Sequence, residues 1–227
     1  MQTLTQSLVL ALFLFLVPNR EQQPLSSPEQ TPPVTTTCPD TFLELIGDTG
    51  VNEEAGNAIV ATPDGGYIIG GTTGVAGFLS YYDSNNTLVW SRSLEVEAGI
   101  NSVNWIGLDS NGKIIGVGRS AAGTSQGLAY VFRYDYIGDN LDWIRKINGQ
   151  LRSRFEHIIE SPSTGNYVVF GHLASASQND PPYRGLAMEL DSGNGAIIWQ
   201  KEYNLGHRNV LHRGLFYNGQ IYIAGYM

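Results

Sequence analysis

Residues 57–71 read NAIVATPDGGYIIGG: an apolar run, a turn of Pro, Asp and Gly, a second apolar run, and a closing glycine. Three further stretches align to it without gaps: NWIGLDSNGKIIGVG at 104–118, HIIESPSTGNYVVFG at 157–171, and LHRGLFYNGQIYIAG at 211–225. Two short apolar strands joined by a Gly-containing turn read as a β-hairpin. The closing glycines, Gly71, Gly118, Gly171 and Gly225, are 47, 53 and 54 residues apart. A fixed period of this size is the mark of a repeat architecture.

Outward from each of the first three hairpins comes a second pair of strands. One ends on an aspartate, at Asp83, Asp135 and Asp191, and the other carries a tryptophan, at Trp90, Trp143 and Trp199. Glycine, aspartate and tryptophan therefore keep the same period independently. Four antiparallel strands in about 50 residues make the blade of a β-propeller, whose two apolar faces must be covered by neighbouring blades. The expected fold is thus all-β, a propeller with about three and a half blades. They span 57–94, 101–148, 155–204 and, as a hairpin alone, 210–227. The expected role of the tryptophans is packing between sheets. The aspartates are expected to accept hydrogen bonds from turn amides between the third and fourth strands.

The wider composition agrees. Glycine makes up 27 of 227 residues, well above the usual ~7%, as many tight turns require. The formal charge of −8 argues against nucleic acid as a partner, because a polyanion needs a basic stripe. It equally disfavours docking on anionic lipid. Residues 1–18 contain the apolar run Leu8–Val17, with the length of a secretory signal core and too short to span a bilayer. Residues 19–40, rich in Pro, Gln, Ser and Thr, read as a disordered spacer. The propeller is expected over 41–227, with Thr41–Gly47 as a lone outer strand and the whole as an N-terminal piece of a longer protein. The single cysteine, Cys38, can form no internal disulfide.

The repeats also carry a family likeness. Asp64–Gly71 (DGGYIIGG) and Asn218–Gly225 (NGQIYIAG) resemble the glycine-rich second strand of kelch-type propellers. Asp191–Trp199 (DSGNGAIIW) resembles the outer-strand signature of quinoprotein-like repeats. Together with residues 44–71, the chain is most similar to secreted bacterial propeller-repeat proteins. That resemblance implies the architecture and an extracellular or cell-surface setting. It implies no particular activity, since such folds host many, and no quinone or calcium ligands can be placed on this sequence.

Candidate site residues follow from the blade alignment. The loop entering each innermost strand should form one rim of the propeller. It carries Glu53 and Glu54, Glu97, Arg152 and Arg154, and His207 and Arg208. Opposed charges there could hold a sugar, a peptide or a small anion; the plainer alternative is solvated loop charge with rim ion pairs worth about 0–1 kcal/mol each. His157, level with Asn57 and Asn104 in the gapless alignment, is expected in a polar column near the channel. His207 and His212 lie five residues apart, which puts them on opposite faces of a strand and argues against a shared metal. Asp109–Gly112 and Asp191–Gly195 lack the carboxylates of a calcium loop and read as turns. No metal or cofactor is expected. The expected function is a non-catalytic extracellular or cell-surface binding or scaffold module that engages protein or glycan through its loops. The alternative is part of a secreted enzyme, polysaccharide-active or a quinoprotein-type dehydrogenase, with its site in missing blades.

Overall fold

The computed structural model describes residues 54–96, 99–122, 126–147, 152–174, 183–206 and 208–226, with Ala122, Gln126 and Arg152 described by backbone alone. The segment 1–18, the spacer 19–40, Cys38 and the strand expected at Thr41–Gly47 lie outside these residues.

Among the described residues the protein is all β, with fourteen strands in four antiparallel sheets of four, four, four and two strands. Sheet 1 comprises β1 (Ala55–Ala61), β2 (Tyr67–Thr72), β3 (Gly77–Tyr82) and β4 (Leu88–Leu94). Sheet 2 comprises β5 (Ile100–Leu108), β6 (Ile114–Ala122), β7 (Gln126–Asp135) and β8 (Asn140–Lys146). Sheet 3 comprises β9 (Arg152–Glu160), β10 (Tyr167–Ala174), β11 (Arg184–Leu190) and β12 (Ile197–Tyr203). Sheet 4 is the hairpin β13 (Val210–Tyr217) and β14 (Gln220–Tyr226). Strands run in simple sequence order within every sheet, and the boundaries match the four segments expected from the repeats.

Each period glycine has the same physical cause. The first strand of every sheet carries a β-bulge opposite it, between Gly56 and Ala58, Val103 and Trp105, Phe155 and His157, and Leu211 and Arg213. A bulge bends its strand and crowds the partner. A Cβ at Gly71, Gly118, Gly171 or Gly225 would sit 2.0–2.3 Å from the carbonyl oxygen of Ala55, Ser102, Arg154 or Val210. No side chain fits there. The bulged residues themselves are Asn57, Asn104, Glu156 and His212. The third sheet has a six-residue turn between β9 and β10 where the first two sheets have five. That extra residue shifts the gapless alignment by one, so Glu156, and not His157, is level with Asn57 and Asn104.

Successive sheets pack face to face, the first strand of each lying against the first strand of the next. One core cluster joins Ile68, Leu79 and Trp90 to Val103, Ile106, Ile114 and Phe132. A second joins Ile115, Val117 and Val131 to Phe155, Tyr167, Val169 and Met188, and a third carries Phe170 and Ala187 towards sheet 4. Each of the fully buried Val, Leu, Ile, Met and Phe side chains contributes about 1.5–3 kcal/mol by leaving water.

The same polar contacts recur at each sheet-to-sheet step. Trp90 Nε1 donates to the carbonyl of Tyr136 at 3.2 Å, and Trp143 Nε1 to that of Ser192 at 3.1 Å. Both acceptors directly follow the aspartate that closes the third strand of the next sheet. Asn57 Nδ2 donates to the Val103 carbonyl at 2.8 Å and Asn104 Nδ2 to that of Phe155 at 2.9 Å. These asparagines therefore bind a neighbouring sheet's backbone. Trp199 has no equivalent third-strand turn beyond it among the described residues, and donates to Glu189 of its own sheet.

The closing aspartates act as expected. Asp83 accepts from the amides of Asn85 and Thr87 at 2.9 Å, Asp135 from Ile137 and Gly138, and Asp191 from Gly193 and Asn194. Asp109, at the turn of the second sheet's first hairpin, accepts from the amides of Asn111 and Lys113 at 2.9 Å. The last hairpin turns in two residues, Asn218 and Gly219, both at positive φ (49° and 73°). That conformation is why Asn-Gly closes it.

A candidate anion-binding pocket

The strands place two polar constellations at opposite ends of the sheets. The first lies at the turn end, between sheets 2 and 3. The Asp109 side chain is fully buried there, and its Oδ2 accepts from Arg133 Nε at 3.0 Å and Tyr167 Oη at 2.7 Å. Arg133 also faces Asp142 at 3.3 Å, and Lys113 Nζ reaches Asp142 at 2.8 Å and Asp135 at 3.3 Å. Burial, and then the bond to Asp109, pushes the Tyr167 hydroxyl well above the usual phenol range. Hydrogen bonds to Asp142 hold Lys113 above its ordinary value. Every charge in this group has an opposite partner, so its chemistry is internal and ties the turns of sheet 2 to sheet 3.

The second constellation is a pocket of about 340 Å³ at the other end, where the first strands begin. Its walls come from equivalent positions of sheets 2, 3 and 4. Arg119, His172 and Tyr226 each follow a period glycine; Arg154 and Val210 each stand two residues before a bulge; Glu156 and His212 are bulged residues. Ser153, Tyr183 and Arg208 complete the polar lining.

Arg154 Nε lies 2.9 Å from Glu156 Oε1, an ion pair whose N–H is not aimed at the carboxylate. The Arg208 guanidinium carbon lies over the Tyr183 ring, 4.0 Å from its centroid. His172 meets the same ring edge-on at 4.8 Å. Its Nδ1 is buried and has no hydrogen-bond partner among the described residues. Burial first, and then Arg154, Arg208 and other basic side chains nearby, push His172 down to about 4. The field in the pocket is positive, on a chain whose net charge is −8.

Of the rim residues expected from the sequence, Arg154 and Arg208 meet in this pocket. Glu54 is exposed just before β1, at the end of sheet 1, and is not part of the lining. Glu53, Glu97 and His207 lie outside the described residues, as does the side chain of Arg152. His157 is elsewhere. It is buried between sheets 3 and 4, 5.0 Å from Trp105 and 6.3 Å from Phe170, and its Nδ1 accepts from the Gly214 amide at 3.3 Å. Burial, and then Arg213, push it down to about 4, a packed neutral imidazole.

The sequence did not single out Arg119, Glu156, His172 or Tyr183, and His212 was weighed only as a metal ligand. A signal for three of these was present, because Arg119 and His172 are the residues after period glycines and His212 is the bulge residue of its repeat.

No protein-family model matches this sequence, and a comparison with curated proteins found no match.

Proposed function

We propose that the four sheets are consecutive blades of a β-propeller, and that the protein is an extracellular or cell-surface binding module. Its ligand enters at the end where the first strands begin. The propeller reading is supported by contacts that repeat from sheet to sheet: tryptophan to the next turn, asparagine to the next first strand, and a shared core at each step. In such a fold the loops at one end form the usual recognition surface. The observation that carries the binding reading is the pocket itself, built from matched positions of three sheets. A concave site with a few convergent polar groups is the default place for a small ligand.

A glycan array probed with the full chain tests this, with a panel of extracellular proteins alongside. Binding is expected, and Tyr183→Ala with Arg208→Gln is expected to abolish it without changing the melting temperature. Binding that survives both changes would move the site elsewhere. Turnover of a bound saccharide would replace the binding module with an enzyme.

A further inference from the structure

We infer that the pocket takes an acidic saccharide unit, a hydroxylated ring that carries a carboxylate or sulfate. This rests on the binding-module reading above and names its ligand class. The charge balance comes first. The chain has 13 Lys and Arg against 21 Asp and Glu, yet the pocket is lined by three arginines and one glutamate. At the turn end of the sheets the cations are matched: Lys113 with Asp142 and Asp135, Arg133 with Asp109 and Asp142, and Arg92 with Asp139. In the pocket the one carboxylate, Glu156, is matched to Arg154 alone. Arg119 and Arg208 meet no carboxylate among the described residues.

The geometry of these groups suits an oxyanion. Arg208 lies over the Tyr183 ring and meets no carboxylate among the described residues, and a planar guanidinium can present its N–H groups to carboxylate or sulfate oxygens in pairs. His172 is a further lining group, set edge-on against the same Tyr183 ring.

Size and polarity select the rest of the ligand. A volume of about 340 Å³ falls at the small-molecule end of binding pockets and is larger than a bare inorganic oxyanion needs. The remaining walls mix polar groups with Val210 and the rings of Tyr183 and Tyr226. Ser153 Oγ accepts from the Ala129 amide at 2.7 Å and keeps its own proton to donate, and Glu156 retains acceptor capacity for a hydroxyl. These polar groups match a body rich in hydroxyls.

Glucuronate and glucose differ only in a carboxylate at C6, which makes them a matched pair of probes, with inorganic sulfate as the third. The full chain is titrated with each and followed by ligand NMR and by the imidazole resonances of its four histidines. Glucuronate is expected to bind at least tenfold more tightly than either glucose or sulfate and to move the His172 resonance, identified by its loss in His172→Gln. Arg119→Gln with Arg208→Gln should cost glucuronate tenfold or more and bring its affinity level with that of glucose. Both arginines are exposed, so a matching melting temperature shows that the variant is folded.

Equal binding of glucose and glucuronate, both perturbing His172, would overturn the acidic class and leave the binding face intact. Sulfate as tight as glucuronate would overturn the saccharide part. No binding of any probe, with the His172 resonance unmoved, would overturn the ligand class outright; loss of array binding in the Tyr183→Ala, Arg208→Gln chain would still uphold the binding face.

Discussion

The two ends of the sheets use charge in opposite ways. At the turn end, carboxylates accept from the amides of their own turns or from a cation beside them. Asp83 and Asp135 are held below the usual carboxylate range, first by the amides of Thr87 and Gly138. Asp109 is buried with Arg133 and Tyr167 around it. At the pocket end Arg154 and Arg184 have carboxylate partners, but Arg208 lies over a tyrosine, Arg119 and Arg208 meet no carboxylate among the described residues, and a histidine nitrogen is buried without a partner there. Matched charges hold a fold together, whereas unmatched ones leave interaction capacity for something that arrives later.

If the contrast is right, the largest effect lies at the turn end. Asp109→Ala leaves Arg133 and Tyr167 facing an empty buried position and should destabilise the protein by about 3–5 kcal/mol in urea unfolding. A loss below about 1 kcal/mol would mean that the network is no clamp. Gly171→Ala comes next, because its Cβ would lie 2.0 Å from the Arg154 carbonyl and the backbone must move; a cost of about 3 kcal/mol is expected, and the same at Gly118.

The buried histidines sharpen the comparison through pH. His157 titrates at about 4 in the folded protein against an ordinary 6.5, so the unfolded chain binds more protons between those values. Its contribution is fully present above about pH 6.5 and is lost as pH falls from there towards 4. The slope is at most about 1.4 kcal/mol per pH unit, and His157→Gln should flatten it in melts taken from pH 7 to pH 4. The smallest effect belongs to the pocket: Arg119→Gln with Arg208→Gln should change stability by no more than about 0.5 kcal/mol. A larger loss would make those arginines part of the scaffold.

Much of the architecture was legible because turn and bulge chemistry is local. Only glycine tolerates the close approach opposite each bulge, only an acceptor such as aspartate satisfies the turn amides, and both therefore recur in the sequence at the repeat period. The tryptophans were legible for a similar reason, since each wedge between sheets needs a large ring with a donor. The pocket was read less well. Arg154 and Arg208 stand close to strand starts, where loops announce themselves, whereas Arg119 and His172 sit inside strands whose apolar pattern drew attention to packing. His157 was misplaced by a single added turn residue, since one step along a strand reverses which face a side chain joins.

The sequence by itself determined the strands, their antiparallel order and the glycine, aspartate and tryptophan positions, because each is dictated by neighbours close along the chain. Tertiary structure decided which charges are matched and which are left open. Arg119 comes from sheet 2, Arg154, Glu156 and His172 from two strands of sheet 3, and Arg208 from the segment before β13, and their meeting depends on how bulges set the register and how each sheet packs on the next. Electrostatic pairing is a property of distance in space, and no local pattern encodes it.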